Sequence, residues 1–410
     1  MSKTFSIHTL GCKLNFSESS EIARRLQERG FALSEQPETI IVNSCAVTAT
    51  AEKKVRNLTS HLHKLSPDAQ IVVLGCYAAL RSEEILRWPG VAATFGNEDK
   101  MNVVPFLCGE PLSTNLRFSA AFSSNDRTRS FLKIQDGCDY HCTYCTVWKA
   151  RGESRSDSIP NVLEQIDRIV GMGIKEVNLT GVNLGDFGRK DGSSFYELLR
   201  AIEERHYPLR FRISSIEPNL LTDEIIALAA QSKVIMPHFH IPLQSACNRV
   251  LGEMHRRYTR ELYAEKVHRI RQMMPDACIA MDIIAGFPGE TDSEFADGLQ
   301  FLESLDISYC HVFTYSKRPG TPAAAMSQQV PPPVKRERTN QLLELSERKK
   351  IAFYRQHIGE KRPVLIESEK KGNLMFGFTD NYIKLQIPYD ISKENSIQII
   401  EIQEDNLSFK

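Results

Sequence analysis

Short apolar runs alternate with longer amphipathic stretches along the first hundred residues. The apolar runs predict buried strands, whereas apolar residues that recur every three or four positions predict helices. The predicted strands are 4–10, 39–44, 70–75 and 91–95, and the predicted helices between them are 17–29, 48–65 and 81–88. Because a repeated strand-then-helix order is typical of a parallel sheet with helices on its faces, we expect an open parallel α/β domain over residues 1–110.

The same alternation resumes after residue 128 and continues for longer. The predicted strands are 129–134, 176–179, 210–213, 238–241, 278–284 and 308–313, with helices at 161–171, 194–204, 222–230, 259–274 and 293–305. Six such units predict an incomplete (βα)6 barrel, in which functional groups project from the carboxyl ends of the strands. We assign the barrel to residues 129–355 and the loop-rich residues 111–128 to a linker.

The chain ends in a pattern of short strands. After a predicted helix at 334–356, alternating apolar and polar residues predict strands at 364–367, 374–378, 382–387, 396–402 and 407–409. Short strands broken by polar turns are typical of a small all-β barrel of the OB kind. The expected fold class is therefore α/β, with a third, all-β domain over residues 356–410.

Composition restricts the kinds of partner that the chain can have. It holds 410 residues, of which 41% are apolar, and 51 basic side chains balance 51 acidic ones. A chain this long divides into two or three cores, and the balanced charge gives no overall attraction to nucleic acid. Residues 335–362 are an exception, with nine basic and four acidic residues, and we expect them to be either a solvated helix face or a phosphate-contacting surface.

The first ten residues contain no long apolar core, and no window of the sequence reaches membrane-spanning length. Ten cysteines, several of them in tight spacing, fit metal binding in a reducing compartment better than a disulfide framework. We therefore expect a soluble cytoplasmic protein that does not contact a membrane.

Three cysteines lie within eight residues, at Cys138, Cys142 and Cys145. Thiolates are soft ligands that suit iron–sulfur clusters or zinc. A short loop with three thiolates can bind three corners of a four-iron cluster and leave the fourth iron open. Zinc needs a fourth ligand, and the nearby candidate, His141, lies on a loop too tight for its ring to turn inward easily.

A second triad is separated in sequence but brought together by the predicted topology. Cys12, Cys45 and Cys76 each follow one of the first three predicted strands. Because the carboxyl ends of parallel strands meet at one edge of a sheet, these thiols are predicted to form a second cluster site. The alternative is that each is a small buried apolar residue, as lone cysteines usually are.

Several motifs together resemble one family, the radical S-adenosylmethionine (SAM) methylthiotransferases. They are TLGCKLN at 9–15, VNSCAVT at 42–48, GCY at 75–77, CDYHCTYC at 138–145, ARGESRS at 150–156, LTGVNLG at 179–185, PLQS at 242–245 and GFPGET at 286–291. The tail, with Glu367 and GFTDNY at 377–382, resembles the RNA-binding TRAM domain of these enzymes. One departure is TVWK at 146–149, where the family usually has a turn resembling Ile-Val-Pro.

The resemblance implies two 4Fe–4S clusters and two uses of SAM. The cluster on Cys138, Cys142 and Cys145 would bind SAM and, once reduced, release a 5′-deoxyadenosyl radical, while the cluster on the other triad would carry the sulfur. A second SAM would methylate that sulfur before transfer. The SAM contacts expected from their places at strand ends are Gly181, Asn183, Ser215, Glu217, Gly286 and Pro288, although each could instead serve a turn. No catalytic residue beyond the cluster ligands is expected, and the electron donor would be a flavodoxin or ferredoxin.

The residues around the first cysteine bear on the substrate. Lys13 and Asn15 resemble the branch that adds a methylthio group to carbon 2 of threonylcarbamoyladenosine at position 37 of tRNA, with the TRAM domain holding the anticodon stem-loop. Two alternatives keep the chemistry and change the substrate, to isopentenyladenosine in tRNA or to an aspartate of a ribosomal protein. A third alternative, of another class, is an RNA-binding protein with structural clusters.

Overall fold

The structure, a computed structural model, describes residues 3–114, 118–123 and 128–409. Residues 115–117 and 124–127, within the predicted linker, lie outside the described residues, as do 1–2 and 410. No helix among the described residues is both long and apolar enough to cross a membrane.

The N-terminal region, residues 3–109, is a parallel sheet between helices. Its strands are β1 (Thr4–Thr9), β2 (Ala32–Leu33), β3 (Thr39–Ser44), β4 (Gln70–Gly75) and β5 (Val91–Phe95), and its helices are α1 (Lys13–Glu28), α2 (Ala49–Leu65), α3 (Cys76–Ile85) and α4 (Val103–Cys108). A 3₁₀ turn at Lys100–Asn102 precedes α4. The sheet order is β2-β1-β3-β4-β5, and every pair is parallel. The predicted open α/β arrangement is confirmed.

Helices α1 and α3 begin earlier than their apolar periodicity predicts. We expected them to start at residues 17 and 81, but the structure starts them at Lys13 and Cys76. The reason is that the chain turns sharply at the glycine before each cysteine, and Gly11 and Gly75 have positive φ angles of 122° and 92°. Each helix therefore begins at or directly after a cysteine of the predicted second triad.

The barrel region, residues 118–331, adds nine strands and eight helices to the described chain. The strands are β6 (Ala121–Phe122), β7 (Arg129–Lys133), β8 (Gln135–Asp136), β9 (Arg155–Ser156), β10 (Glu176–Thr180), β11 (Arg210–Ile213), β12 (His238–His240), β13 (Cys278–Ala285) and β14 (Tyr309–Thr314). The helices are α5 (Val147–Arg151), α6 (Ile159–Gly171), α7 (Phe195–Glu204), α8 (Asp223–Gln231), α9 (Asn248–Glu253), α10 (Arg260–Met273), α11 (Asp292–Ser304) and α12 (Pro322–Ala325), with a 3₁₀ turn at Leu184–Asp186.

Six parallel strands form the predicted partial barrel. β7, β10 and β11 pair in one ladder, and β12, β13 and β14 pair in another. Single bridges from Phe211 to Ile235 and from Ser215 to His240 join the two ladders. The short strand β6, within the predicted linker, pairs antiparallel with the edge strand β7. The large apolar core lies between the outer face of these strands and the surrounding helices.

The C-terminal region is an antiparallel half-barrel that follows a long helix, α13 (Pro332–Gln356). Its strands are β15 (Lys361–Lys371), β16 (Leu374–Thr379), β17 (Lys384–Pro388) and β18 (Ile397–Glu401), in the order β17-β16-β15-β18, with 3₁₀ turns at Ile391–Lys393 and Glu404–Asn406. The fold agrees with the predicted TRAM barrel, but the fifth strand at 407–409 is wrong. The second 3₁₀ turn directs the chain so that Leu407 makes one bridge, to Leu385. The domain boundaries stay predictions.

Much of the positive charge of 335–362 is neutralised within the fold. Arg338 pairs with Glu290 and Asp292, and the other ion-paired members of the run are Arg348, Arg355 and Arg362. The ion pairs bind α13 and β15 to the barrel and the tail. Four of the nine basic residues of the run are therefore paired with acids of the fold, and contact of the run with phosphates stays a prediction.

The C-terminal sheet lies against the amino ends of the barrel strands, opposite the cysteine loop. The guanidinium of Arg212 donates hydrogen bonds to the carbonyl oxygens of Thr379 (2.7 Å) and Asp380 (2.8 Å). Its Nε lies 2.9 Å from the fully buried carboxylate of Glu176, which is also near Arg129. Burial alone would raise the pKa of Glu176, but the arginines hold it below its ordinary value.

Replacement of Glu176 by glutamine is expected to lower the free energy of unfolding by about 3–5 kcal/mol, because it leaves buried guanidinium groups without a counter-charge. The measurement is urea denaturation of the purified protein at pH 7. The control is Glu204→Gln, an exposed carboxylate on α7, which should change stability by less than about 0.5 kcal/mol. A Glu176→Gln protein as stable as the control would contradict the assignment.

The same pair of proteins should respond differently to acid. Because the folded-state pKa of Glu176 is depressed, its contribution to stability is present above its unfolded-state pKa and is lost as the pH falls through the folded-state value. The stability difference between wild type and Glu176→Gln should therefore narrow as the pH is lowered below about 4.5. A constant difference at every pH would show that the carboxylate does not act through its charge.

Candidate functional site

The Cys138–Cys145 loop is held at the carboxyl end of the barrel by backbone contacts. The amide of Cys138 donates to the carbonyl oxygen of Gly152 at 3.0 Å, and Thr143 donates through its amide and its hydroxyl to the carbonyl oxygens of Met254 and Glu253. Gly137 has a φ of 71°, and a Cβ at this position would lie 1.9 Å from a backbone oxygen. The loop can therefore start in this direction only from glycine.

Two of the three sulfurs in this loop accept hydrogen bonds. Nη1 of Arg256 lies 3.1 Å from Sγ of Cys142, and the amide of Val147 lies 3.3 Å from Sγ of Cys145. Burial raises the pKa of Cys138 and of Cys145 to about 12. These thiols therefore lose their protons at neutral pH only when a metal binds, and the donors around them stabilise the resulting negative charge.

The geometry favours an iron–sulfur cluster over a single zinc ion. Two thiolates on one tetrahedral zinc stand about 3.8 Å apart, given a Zn–S distance of about 2.3 Å. Among the described residues, two sets of three potential ligand atoms lie within 4.8 Å of one another, and neither contains a cysteine. The ring of His141 packs against Trp148 with a centroid distance of 4.5 Å, so the histidine is directed to an aromatic neighbour and not to the thiols.

The second triad comes together at the carboxyl ends of β1, β3 and β4, as the topology predicts. Cys12 precedes α1, Cys45 follows β3, and Cys76 is the first residue of α3. A Cβ placed on Gly11 would lie 3.0 Å from Cβ of Cys45. Burial raises the pKa of Cys45 to about 11, and the neighbouring Cys76 and Cys12 add to the shift. The three thiols therefore lie close enough to interact electrostatically, and their binding of one cluster stays a prediction.

A buried ionic cluster joins the two triads. We define the junction cluster as Glu18, Lys100, Lys133, Asp136 and Arg151, which are all at most 4% exposed. Nζ of Lys133 lies 3.0 Å from Glu18, Nη1 of Arg151 lies 2.8 Å from Asp136, and Lys100 also pairs with Glu18. Three cations face two carboxylates, and the excess positive charge lies near Cys12 and Cys76. This charge suits a site that binds metal through thiolates.

Asn97 donates hydrogen bonds to residues beside both triads. Its Nδ2 lies 3.4 Å from Sγ of Cys76 and 2.7 Å from the carbonyl oxygen of Ala150, which is five residues after Cys145. Helix α3, which starts at Cys76, packs against α5, which follows Cys145. The two triads therefore lie on packed, adjoining elements.

The residues expected to contact SAM lie on loops that follow β10, β11 and β13. The amide of Asn183 donates to Gln135 Oε1 at 2.9 Å, and its Nδ2 donates to Asp186 at 2.9 Å. Glu217 pairs with Arg256, and the amide of Gly286 donates to Glu290 at 3.2 Å. The remaining members of the set are Gly181, Ser215 and Pro288. Contact with SAM stays a prediction for all six.

Sequence reasoning missed several residues that organise the site. Arg256 and Lys100 carried no motif, and Arg151 lay in a quoted motif without an assigned role. Arg318, from a turn to which the sequence assigned no role, pairs with Glu52 of α2 and so joins the barrel to the N-terminal region. Each of these residues stands among other charged or polar residues, so nothing in the local sequence marks it as buried with a partner.

Comparison with known proteins agrees with this geometry. The radical SAM superfamily model matches residues 132–302, and the model of uncharacterized protein family UPF0004 matches residues 4–96. A solved structure of the radical SAM methyltransferase TsrM from Kitasatospora setae has a TM-score of 0.60 at 14% identity and covers 79% of this chain and 77% of its own. That likeness supports the fold alone.

Relatives of similar length carry informative names. The threonylcarbamoyladenosine tRNA methylthiotransferase MtaB of Bacillus subtilis is 36% identical over 405 residues, covering 93% of this chain and 90% of the relative. The protein of the same name from Thermotoga maritima is 35% identical, covering 99% and 96%. A tRNA-2-methylthio-N(6)-dimethylallyladenosine synthase from Thermobifida fusca is 33% identical, covering 89% and 78%. Identity and coverage at this level show that the chain belongs to the family of radical SAM tRNA methylthiotransferases.

Proposed function

We propose that this enzyme inserts a methylthio group at carbon 2 of threonylcarbamoyladenosine 37 in tRNA, with two 4Fe–4S clusters and two molecules of SAM. The observation that carries the proposal is the pair of cysteine triads on adjoining elements, in a chain that resembles relatives named for this substrate. A ring carbon–hydrogen bond is inert to acid–base catalysis at neutral pH, so the bound cofactors supply the radical and the sulfur.

The chain's own residues hold and tune the two metal sites. Cys138, Cys142 and Cys145 would bind one cluster, and Cys12, Cys45 and Cys76 the other. Arg256 donates to a sulfur of the first triad, whereas Asn97 and the junction cluster act on the second. Hydrogen bonds and positive charge near cluster sulfurs favour the more negative, reduced state.

The RNA is expected to approach the edge where both triads lie. An anticodon-loop base is already unpaired, so its entry into a pocket costs less than extraction from a duplex. The C-terminal half-barrel would hold the stem by its shape and phosphates. We also place the enzyme in the cytoplasm, where a flavodoxin or ferredoxin would supply electrons.

The substrate is tested by mass spectrometry of tRNA nucleosides from cells with and without the gene. The methylthio derivative of threonylcarbamoyladenosine should disappear in the deletion strain and return with the wild-type gene, but not with a Cys142→Ala copy. Loss of the isopentenyladenosine derivative instead would replace the proposed substrate by the alternative one. Unchanged nucleosides in every strain would contradict both tRNA assignments.

The number of clusters is tested by iron content. Anaerobically reconstituted wild-type protein should hold about eight irons, and Cys45→Ala about four, because only the first triad remains complete. Cys45→Ala should still form 5′-deoxyadenosine from SAM and a reductant, whereas Cys142→Ala should not. The control is Cys108→Ala, outside both triads, which should keep about eight irons. Four irons in the wild type would remove the second cluster from the proposal.

Arg256 should set the potential of the cluster that binds SAM. If the bond from Arg256 to the Cys142 sulfur is worth about 1.5–3 kcal/mol, Arg256→Met should lower the midpoint potential by about 60–130 mV, since 59 mV is a tenfold change for one electron. An EPR-monitored redox titration measures this shift. Arg257→Met is the matched control, because its guanidinium lies over the Tyr140 ring and donates to the carbonyl oxygen of Asp139 in the same loop, and within the described residues it forms no hydrogen bond to a sulfur. Equal potentials in the two variants would contradict the assignment.

A further inference from the structure

The inner face of the barrel is polar and charged. Successive residues of a strand point to opposite sides, and Val177, Phe211 and Met281 pack in the core beneath the helices. Their neighbours along the strands therefore face the interior, as Asn178, Arg212 and Asp282 do in β10, β11 and β13. The interior can bind a ligand with charge and hydrogen-bonding groups.

Three inward-facing side chains form a compact set on adjacent strands. His240 of β12 lies 2.8 Å from Asp282 of β13 through Nε2 and Oδ1. His311 of β14 is paired with Asp282 in the strand register, and its ring lies 5.2 Å from that of His240. The set is accessible, because the side chains of His240 and Asp282 are 22% and 19% exposed and His311 is exposed.

Lys13 reaches the same interior from the N-terminal region. It directly follows Cys12, and its Nζ lies 5.7 Å from the ring of Phe131 on β7. Lys13 lies close enough to His311, Arg129 and Arg212 for its charge to interact with theirs. The ammonium group therefore lies between the second triad and the barrel interior.

Lys13 differs from the other cations of the interior in having no acidic side chain directly paired with it. Arg129 pairs with Glu367, and Arg212 pairs with Glu176. Within the described part of the chain, the ammonium of Lys13 forms no ion pair or hydrogen bond, and it lies over the face of Phe131. Lys13 is exposed, and an ammonium without a directly paired carboxylate is suited to bind an anionic group of a ligand.

A metal ion on the histidine–aspartate set is the alternative occupant. The side chains are suitable ligands, but Lys13 places positive charge beside His311, which repels a cation. The same charge attracts an anion. The electrostatics therefore favour an anionic organic ligand that also accepts and donates hydrogen bonds.

We propose that Lys13 and the His240–Asp282–His311 set form the binding site for the N6 side chain of the substrate adenine, with Lys13 paired to its carboxylate. This inference rests on the proposed function and deepens it. A threonylcarbamoyl group offers a carboxylate, a hydroxyl and a urea, whereas a dimethylallyl group offers none of these. Because Lys13 adjoins Cys12, an adenine anchored here lies close to the second triad.

The site also accounts for discrimination between modified adenines. An apolar side chain would leave the ammonium and the imidazoles desolvated without partners, and sites built on polar contacts reject such analogues strongly. Lys13, His240 and His311 are therefore specificity-determining residues for the reaction, and no chemical step is assigned to them.

The test uses the reconstituted enzyme and three anticodon stem-loops. The first carries threonylcarbamoyladenosine, the second its methyl ester, which removes the negative charge, and the third isopentenyladenosine. Fluorescence anisotropy measures each Kd. Wild type should bind the acid about 10- to 100-fold more tightly than the ester, as expected for one hydrogen-bonded ion pair.

The Lys13 variants separate charge from structure. Lys13→Met should bind acid and ester with equal Kd, while Lys13→Arg keeps most of the preference. The control Lys64→Met, on the exposed face of α2, should match wild type. A Lys13→Met protein with about eight irons and an unchanged acid-to-ester ratio would overturn the inference.

A second variant keeps the test valid if Lys13→Met fails to retain its clusters. The second variant is His311→Phe, at a position remote in sequence from both triads. It should weaken binding of the acid RNA several-fold without weakening binding of the isopentenyl RNA. Equal effects on both RNAs would overturn the inference. Failure of the proposed function gives a different result, in which wild type modifies the isopentenyl RNA and leaves the threonylcarbamoyl RNA unmodified.

Discussion

The junction cluster is the constraint on which the rest of the structure depends. Its five buried charged groups come from α1, the 3₁₀ turn before α4, β7, β8 and α5, so it includes both the N-terminal region and the barrel. Removing one partner from such a cluster leaves an uncompensated buried charge, at a cost of about 3–5 kcal/mol. The two regions are therefore held in one relative position, and the two cysteine triads with them.

The strand ends and the places of the six triad cysteines in the fold could be predicted because each depends on a local pattern. Apolar periodicity locates the strands, and the carboxyl ends of parallel strands necessarily meet at one edge. This argument brought Cys12, Cys45 and Cys76 together although they are more than thirty residues apart in sequence. Helix starts at Lys13 and Cys76 were missed, because a sharp turn at glycine has no periodicity.

The supporting contacts could not be predicted, because they join residues distant in sequence. Lys100 and Glu18 are 82 positions apart, and Arg256 and Cys142 are 114 apart. A lone charged residue shows that a partner must exist if it is buried, but it does not show which one. For the basic run at 335–362, the sequence overstates the unpaired positive charge. Several of its charges are balanced by acids that only the fold brings near.

The position of the C-terminal half-barrel bears on how a substrate base can reach the barrel interior. Tyr382 lies against both Arg212 and His238 at the amino ends of the strands, with ring distances of 4.8 Å and 4.4 Å. Within the described chain, the half-barrel thereby covers the amino ends of β11 and β12. On the proposed function, the adenine would reach the barrel interior from the other side, at the carboxyl ends where both triads lie.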